Sequence, residues 1–497
     1  MKKKYIHIRL IVISLLSLLE IIIGVLLLIL GILKIPYFWL FICLIKIICI
    51  AKVLTSYNSK NYKIAWILLI LLLPLVGLVL FFLTFNRQLS KKYQRRMQEI
   101  SNAKKPKSNT DIKNSENLQW LCDIADTHLY TNTKAKYYSL GEDMWEDMLG
   151  DLKKATKFIF IEMFSIESGK FWNSILAILK EKVQNGILVR LIYDDIGCSK
   201  TLPENYDKTL KEMGIECIIF SKIKSPSIKD LNNRGHRKMI IIDGIISYTG
   251  GINFADEYIN FYEKYGHWKD GGIKLEGSAT NELTYLFLKD YAMNMKTKVE
   301  DFSLYFLTSP SIKNDEYVIP FGDGPEPLYK YHIFKTMIMN MLNQAKHYVY
   351  MTTPYLMIDK ELVECIKNAV LRGIDVRIIV PHVPDKKFIF LMTKSYCKDL
   401  MEAGVKIYEY EPGFIHAKSY ISDDEIAIIG SMNLDYRSLI HHFENGVYFY
   451  HHSALKSIKE DIWKTMNKSI LINERPIKNT LVTKFIRAVV YTVSPLL

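Results

Sequence analysis

The stretch GHRKMIIIDGIISYTGGIN, residues 235–253, sets His236, Lys238 and Asp243 in the spacing H-x-K-x4-D and ends at Asn253. The same spacing recurs in the second half of the chain, in IHAKSYISDDEIAIIGSMN, residues 415–433. The corresponding residues of this second copy are His416, Lys418, Asp423 and Asn433. One short motif carries little weight, but two copies with the same internal spacing indicate a duplicated functional element.

The sequence around the two motifs is duplicated as well. KFIFIEMFSI (157–166) resembles HYVYMTTPYL (347–356), and LKEKVQNGILVRLIYDD (179–195) resembles IKNAVLRGIDVRIIVPH (366–382). These blocks have strand patterns that alternate with helical patterns, and each helical pattern stops at a glycine. The repeat predicts two α/β halves, at residues 135–320 and 321–497, with the Gly- and Pro-rich segment FGDGPEP (321–327) as their boundary.

The composition favours a membrane location and an anionic partner. Of the 497 residues 49% are hydrophobic, which is high for a soluble protein, and the formal net charge is +13. This charge fits phospholipid headgroups or nucleic acid, and composition does not choose between them. The seven cysteines are scattered without a C-x-x-C pair, which argues against a disulfide framework and a zinc site and for a reducing compartment.

Residues 1–86 are predicted to form a membrane region with two or three transmembrane helices. The apolar stretches are 9–33, 36–50 and 65–85, and the first and last are long enough to cross ~30 Å of hydrocarbon. Residues 87–134 are predicted to be a basic juxtamembrane segment and linker, whose positive charges place the catalytic region in the cytoplasm. Three lysines at residues 2–4 favour the same side for the N-terminus, so the number of spans stays open.

The residue types in the two motifs suit phosphoryl transfer. IIID and SYISD are predicted to be strands, so histidine and lysine, two residues apart, are predicted to project from the same face of each strand. If the two halves meet, one imidazole can attack phosphorus, the other can protonate the leaving oxygen, and the lysines can hold the phosphate oxygens. The pattern contains no metal-ligand spacing, so we expect neither a metal nor another cofactor. His441, His442, His451 and His452 are interpreted as surface or near-site histidines rather than metal ligands.

Both motifs resemble the HKD signature of the phospholipase D superfamily. The flanking blocks TTPYLMID (352–359) and GVKIYEYEPGFIHAKSYISDDEIAIIGSMNLDYRSLIHHFE (404–444) are similar to bacterial cardiolipin synthases, and the likeness covers nearly the entire chain. The resemblance implies an α/β protein in which two duplicated phospholipase D-like mixed α/β sandwich halves form one bilobal catalytic unit after N-terminal transmembrane helices.

The resemblance also implies roles for individual residues. His236 would form a covalent phosphohistidine, and His416 would act as general acid and then as base. Asp243 and Asp423 complete the two candidate catalytic triads, although a structural role in the strand–turn geometry suits them better than proton transfer. The remaining implied roles are phosphate binding by Lys238, Lys418, Asn253 and Asn433, and orientation of the histidines by Asp270 and Glu444.

The function predicted on this basis is that of a membrane-anchored phosphatidyltransferase. One phosphatidylglycerol would donate its phosphatidyl group to a second, giving cardiolipin and glycerol. The expected partners are phosphatidylglycerol and anionic membrane lipids, and nucleic acid is not expected as a partner. The alternatives are a phospholipase D-type hydrolase that uses water as acceptor, a nuclease of the same superfamily, and a catalytically silent scaffold. The tail at 481–493 is predicted to be an amphipathic helix that docks on the domain or lies in the membrane interface.

Overall fold

The computed structural model describes residues 36–56, 60–85, 95–96, 98–100, 103–107, 116–222, 233–295, 299–308, 312–326 and 328–472. These residues divide into two compact units, the helices between residues 36 and 85 and the described residues from 95 to 472. The predicted first span at 9–33 and the predicted amphipathic tail at 481–493 lie outside the described residues.

The N-terminal unit consists of three helices, Pro36–Thr55, Lys60–Leu72 and Pro74–Thr84. Aromatic rings pack between the second and third helices, where the Trp66 and Phe81 rings meet edge to face with centroids 5.8 Å apart. Other large apolar side chains of the same helices point outwards, as the exposed side chains of Ile48 and Phe82 do. The unit therefore has an apolar interior and an apolar exterior.

The stretch 65–85, predicted as a single span, is divided into two helices. Leu73 leaves helical geometry with φ −126° and ψ 74°. The reason is Pro74, which has no amide hydrogen and whose ring disfavours the helical conformation for the residue before it. Among the helices that the structure describes, none is both long enough and apolar enough to cross a membrane.

The first half of the catalytic unit is built on a seven-stranded sheet in the order β1-β8-β6-β5-β2-β3-β4. Strands β2, β3 and β4 are parallel, and the other neighbours are antiparallel. The strands of this half are β1 Thr133–Tyr138, β2 Phe158–Met163, β3 Leu188–Asp194, β4 Glu216–Phe220, β5 Lys238–Ile242, β6 Ile246–Gly250, β7 His267–Lys269 and β8 Gly272–Gly277.

The second half repeats this topology. From its β9 edge the order is β9-β18-β16-β15-β10-β12-β13, and one additional strand, β19, pairs with β13. The strands are β9 Tyr317–Asp323, β10 Tyr348–Thr352, β11 Leu356–Met357, β12 Asp375–Pro381, β13 Lys406–Tyr410, β14 Gly413–Ile415, β15 Ser419–Ser422, β16 Ile426–Gly430, β17 Leu434–Asp435, β18 Glu444–Tyr450 and β19 Ser469–Leu471. The parallel and antiparallel pairings match those of the first sheet, so the predicted duplication of a mixed α/β unit is confirmed.

Helices cover the sheets and bury their apolar side chains against them. In Lys170–Gln184 the buried residues Phe171, Ile175, Ile178 and Leu179 recur at helical spacing, and the helix ends before Gly186, which has φ +77°. The helices of the catalytic unit are Glu116–Ala125, Gly141–Lys153, Lys170–Gln184, Tyr206–Glu212, Thr280–Asn294, Ile333–Gln344, Lys360–Leu371, Lys387–Glu402 and Ala454–Asn467. Short 3-10 segments lie at Asp256–Ile259 and Phe302–Tyr305, and a π-helix lies at Arg437–His441.

The segment 321–327, predicted as the boundary between the halves, begins inside a strand. Phe321, Gly322 and Asp323 belong to β9, which pairs with β18 of the second sheet. Strand β8 of the first sheet ends at Gly277, so the chain passes from one sheet to the other between Gly277 and Tyr317. Gly322 gives this segment a loop-like composition, but it lies within β9 in close packing: a Cβ there would lie 2.7 Å from Leu286 Cδ2.

Candidate active site

Each HKD motif meets the other at the interface between the two halves. His236 lies just before β5, and Lys238 is the first residue of that strand. His416 follows β14 directly, and Lys418 precedes β15. The sequence placed the two histidines on strands, whereas the structure places them in the extended segments that lead into the strands. All four side chains are buried.

The two histidines are held by carboxylates of the opposite halves. His236 Nδ1 lies 2.9 Å from both oxygens of Glu444, and His416 Nδ1 lies 2.5 Å from Asp270 Oδ2. Both carboxylates are fully buried. Since a carboxylate only accepts hydrogen bonds, each Nδ1 is the donor to its carboxylate, and each Nε2 keeps its lone pair. Lys418 Nζ lies 2.8 Å from His416 Nδ1 and, as a donor, makes no hydrogen bond to that nitrogen in this tautomer. The pairing is crossed: the first half supplies His236 and Asp270, and the second supplies His416 and Glu444.

Backbone hydrogen bonds between the halves explain this crossing. The His236 amide donates to the Phe443 carbonyl at 2.8 Å, and Glu444 is the next residue. The His416 amide donates to the Lys269 carbonyl at 2.7 Å, and Asp270 is the next residue. Beside the second contact, β7 and β14 pair in parallel and join the halves. The same register on both sides therefore brings each imidazole to the carboxylate of the other half.

Further polar contacts fix the carboxylates. Ser431 Oγ, in the segment that follows the second motif, donates to Glu444 Oε2, and the Gly271 amide donates to Asp270 Oδ1 at 2.8 Å. Gly251 occupies the place of Ser431 in the first copy, and a Cβ there would lie 2.2 Å from Asp270 Oδ1. The two copies therefore differ because Glu444 leaves room for a serine that donates to it, whereas Asp270 lies too close to Gly251 for any side chain there.

Burial keeps both imidazoles neutral near pH 7. It lowers the pKa of His236 well below its usual value, and the neighbouring charges of Lys238 and Lys418 lower it further. Burial and then Lys418 lower the pKa of His416 to about 4, against the opposing influence of Asp270. Burial also lowers the pKa of Lys238 to about 7 and that of Lys418 to about 8. Neutral imidazoles beside lysine ammonium groups are suited to nucleophilic attack on an anionic substrate.

The side-chain amides of the two asparagines are already engaged in hydrogen bonds. Asn253 Nδ2 donates to the Tyr258 hydroxyl at 2.7 Å, and the Tyr258 ring packs against His416 with centroids 5.3 Å apart. Asn433 Nδ2 donates to Asp435 Oδ2 at 3.1 Å, and its Oδ1 is buried without a hydrogen-bond partner among the described residues. Their role in phosphate binding stays a prediction.

The motif aspartates lie at the far ends of the strands. Asp243 follows β5 with φ +54° and accepts hydrogen bonds from the amides of Lys157 and Phe158 at 2.7 and 2.9 Å. Asp423 follows β15 with φ +52° and accepts from the amides of three residues, 346–348, which lead into β10. Both were grouped with the catalytic residues, but the full length of a strand separates each from its histidine. They anchor the start of a neighbouring strand.

One residue near the histidines was assigned no role from the sequence. The His442 ring lies 5.2 Å from the His236 ring between centroids, and His442 Nδ1 is 3.6 Å from Glu444 Oε1. The interpretation of His442 as a near-site histidine matches this position. Its spacing from Glu444, two residues along the chain, was the signal that could have located it. Within the described part of the chain, His236, His442 and Glu444 form a group whose ligand atoms are close enough to share a metal ion.

Comparison with known families assigns this architecture to the phospholipase D-like class. The family described as "Cardiolipin synthase, PLD-like domain" matches residues 148–263 and 338–466, which contain both motifs. The family described as "Phospholipase_D-nuclease N-terminal" matches residues 38–84.

Individual relatives are more specific. A cardiolipin synthase of Alkalihalophilus pseudofirmus is 35% identical over 70% of this chain and 69% of its own length, and one of Geobacillus sp. is 31% identical over 76% of each chain. An uncharacterized protein of Streptococcus mutans serotype c is 42% identical over 74% of this chain and 80% of its own. The chain belongs to the cardiolipin synthase family, and it is an enzyme of the phosphatidyltransferase type.

A solved structure shares the fold. The phosphatidylserine synthase of Haemophilus influenzae Rd KW20 superposes with a TM-score of 0.57 over 82% of this chain and 100% of its own, at 15% sequence identity. At that identity the comparison supports the fold alone, and it agrees with the two-sheet duplicated architecture.

Proposed function

We propose that the chain is a cardiolipin synthase that transfers a phosphatidyl group from one phosphatidylglycerol to another and releases glycerol. The crossed contacts His236–Glu444 and His416–Asp270 carry this proposal, because they leave an Nε2 lone pair on each imidazole, beside the buried lysines of the two motifs. The names of the relatives support cardiolipin as the product. Phosphatidylglycerol and the anionic lipids around it are thus the proposed partners.

In the first step the His236 Nε2 lone pair attacks the phosphorus of the donor lipid. The bond between phosphorus and the glycerol headgroup oxygen breaks, and that oxygen takes a proton from His416. Glu444 stabilises the positive charge that develops on the His236 ring, while Lys238 and Lys418 stabilise the phosphate oxygens. A phosphohistidine remains, and glycerol leaves.

In the second step a free glycerol hydroxyl of the acceptor lipid gives its proton to His416. The hydroxyl oxygen attacks phosphorus, and the bond between phosphorus and His236 breaks. One phosphodiester is consumed and one is formed in the whole reaction, so no nucleotide is needed. Asp270 holds the His416 ring and stabilises its protonated form in both steps.

The first step requires a proton on His416, although its pKa is about 4 in the empty site. The donor phosphodiester carries a negative charge, and such a charge in a buried pocket raises the pKa of a neighbouring imidazole. We therefore infer that substrate binding and proton uptake by His416 are coupled. The free enzyme keeps the neutral imidazoles that nucleophilic attack requires.

We further propose that residues 1–86 are a membrane region and that the catalytic part, with halves near 135–320 and 321–497, is cytoplasmic. Two observations support the membrane region: the outward apolar side chains of the helices between residues 36 and 85, and the match of residues 38–84 to an N-terminal family segment. The lysines and arginines of residues 87–134 support the cytoplasmic side.

The rival function is phospholipase D-type hydrolysis, which would use the same residues with water as acceptor. Purified protein incubated with phosphatidylglycerol alone in excess EDTA distinguishes them. We expect cardiolipin and glycerol, both abolished by His236→Ala and by His416→Ala. Accumulation of phosphatidic acid instead would assign the hydrolase, and loss of activity in EDTA would contradict a reaction driven by the protein's own cations.

A further inference from the structure

The His442 side chain is buried beside the proposed nucleophile without a hydrogen bond. Only 8% of this residue is exposed, and neither ring nitrogen has a hydrogen-bond partner among the described residues. A buried polar group without a partner lowers folding stability, because its hydrogen bonds to water are lost on burial and not replaced. His442 has no role in the proposed transfer reaction. A bound ligand would satisfy the unpaired nitrogen atoms of its ring.

The neighbours of His442 define the chemistry of that ligand. One ligand atom each from His236, His442 and Glu444 lie within 4.8 Å of one another. The Glu444 Oε1 atom is 2.9 Å from His236 Nδ1 and 3.6 Å from His442 Nδ1. In a tetrahedral zinc site with bonds of about 2.0–2.2 Å, ligand atoms lie roughly 3.3–3.6 Å apart. Two imidazoles and one carboxylate, with a fourth position left for water, match the ligand set of open zinc sites.

We propose that His236, His442 and Glu444 form a binding site for Zn²⁺ or a similar transition-metal dication, and that occupancy of this site switches the enzyme off. A metal on His236 Nδ1 replaces the proton that Glu444 accepts. The ring proton then resides on Nε2, which loses the lone pair needed to attack phosphorus. A metal on Nε2 blocks that lone pair directly. Either mode also occupies Glu444, so the imidazole loses the carboxylate that stabilises its positive charge.

The surroundings make the site selective for imidazole-binding metals. The ammonium groups of Lys238 and Lys418 repel a dication. This repulsion weakens the binding of hard cations such as Mg²⁺, because such cations gain little from nitrogen ligands. Zn²⁺ and Co²⁺ gain from two imidazoles and overcome part of this repulsion. We therefore expect Zn²⁺ to bind and inhibit, and Mg²⁺ at the same concentration to do neither.

Metal binding is tested on the metal-stripped, purified full-length protein. Equilibrium dialysis against Zn²⁺ counts the bound ion, and Co²⁺ titration followed by visible absorption reports a four-coordinate site. We expect one ion per chain in the wild type and loss of that ion in His442→Asn and in His236→Asn, with thermal unfolding used to check that each variant is folded.

The matched control is His451→Asn. His451 is exposed, lies outside the cluster and has φ +46°, a conformation that asparagine tolerates. It should keep the full ion count. Unchanged stoichiometry and affinity in both folded cluster variants would overturn the proposed site.

Inhibition is tested separately, and this part rests on the proposed function. Cardiolipin formation by the wild type should fall at least tenfold at saturating Zn²⁺ and recover in EDTA. Each variant is compared with its own metal-free activity, and His442→Asn should need at least tenfold more Zn²⁺ for half inhibition. Bound Zn²⁺ without inhibition would overturn the switch. If no cardiolipin forms even without metal, the proposed function fails while the dialysis result still decides the site.

Discussion

Replacement of Glu444 by glutamine tests the crossed pairing of the two halves. The change keeps the shape of a fully buried side chain but removes its charge and one acceptor oxygen. The amide can turn its NH₂ group towards His236 Nδ1, which makes Nδ1 an acceptor and moves the ring proton to Nε2. The nitrogen that attacks phosphorus then has no lone pair.

The size of the effect follows from the two functions that Glu444→Gln removes. Loss of the correct tautomer and of the charge that stabilises the developing imidazolium together correspond to about 3–5 kcal/mol of transition-state stabilisation, which is a decrease of roughly 10²–10⁴ in kcat. The Ser431 hydroxyl can still donate to the amide oxygen, so the variant should stay folded.

The assay is formation of cardiolipin from ³²P-labelled phosphatidylglycerol, with an acid-labile phosphohistidine trapped by rapid quench. Glu444→Gln should lose the intermediate and the product together. Glu425→Gln, which changes a carboxylate on the β15–β16 turn, should behave like the wild type. A folded Glu444→Gln enzyme whose kcat lies within tenfold of the wild type would refute the role of this carboxylate.

Three further predictions concern Gly251 and Asp243 of the first copy and the pKa of His416 in the second. Gly251→Ala should reduce kcat at least tenfold, because the new Cβ displaces Asp270 from His416, whereas Gly150→Ala, with open space around its Cβ position, should leave the kinetics unchanged. Asp243→Ala removes amide contacts at the start of β2 and should lower the free energy of unfolding by about 2–4 kcal/mol, measured by urea denaturation. It should leave kcat at 20 °C within a few-fold of the wild type. A loss of activity without a loss of stability would contradict the structural role of Asp243. Because burial lowers the pKa of His416 to about 4, the unfolded state binds more protons than the folded state between about pH 4 and pH 6.5. The free energy of unfolding should therefore rise with pH across this window, and it should rise less in His416→Asn. Equal slopes of unfolding free energy against pH in the two proteins would contradict the pKa shift.

The sequence was sufficient to predict the duplicated α/β fold, whereas the roles of the site residues stay predictions. Repeated spacing identified His236 and His416, and the flanking similarities identified two equivalent α/β halves, which the matching strand orders confirm. The motif aspartates were grouped with the catalytic triads, and their hydrogen bonds to the amides before β2 and β10 agree with the structural role that was favoured for them over proton transfer.

The crossing of the carboxylates could not be read from the sequence. Asp270 follows the first motif and Glu444 follows the second, so each could equally have served the histidine of its own half. The choice depends on inter-half hydrogen bonds from the His236 and His416 amides, which exist only after the halves dock. The packing of His442 against His236 has the same origin, because the two rings belong to different halves.

The break at Leu73 illustrates a different limit. Hydropathy treats residues 65–85 as one apolar stretch, but the geometry of Pro74 divides it, and hydropathy contains no information about backbone dihedral angles. Likewise, the segment around Gly322 was predicted to be a loop, because glycine and proline content does not distinguish a turn from a strand that packs closely against Leu286.

The exchange of carboxylates between the halves has an evolutionary consequence. Duplication usually frees one copy to drift while the other keeps the activity. Here a substitution at Asp270 disables the histidine of the other copy, and a substitution at Glu444 does the same in return. Selection is therefore expected to act on the two copies as one inherited unit, whereas features outside the exchange, such as the additional edge strand β19, diverge independently.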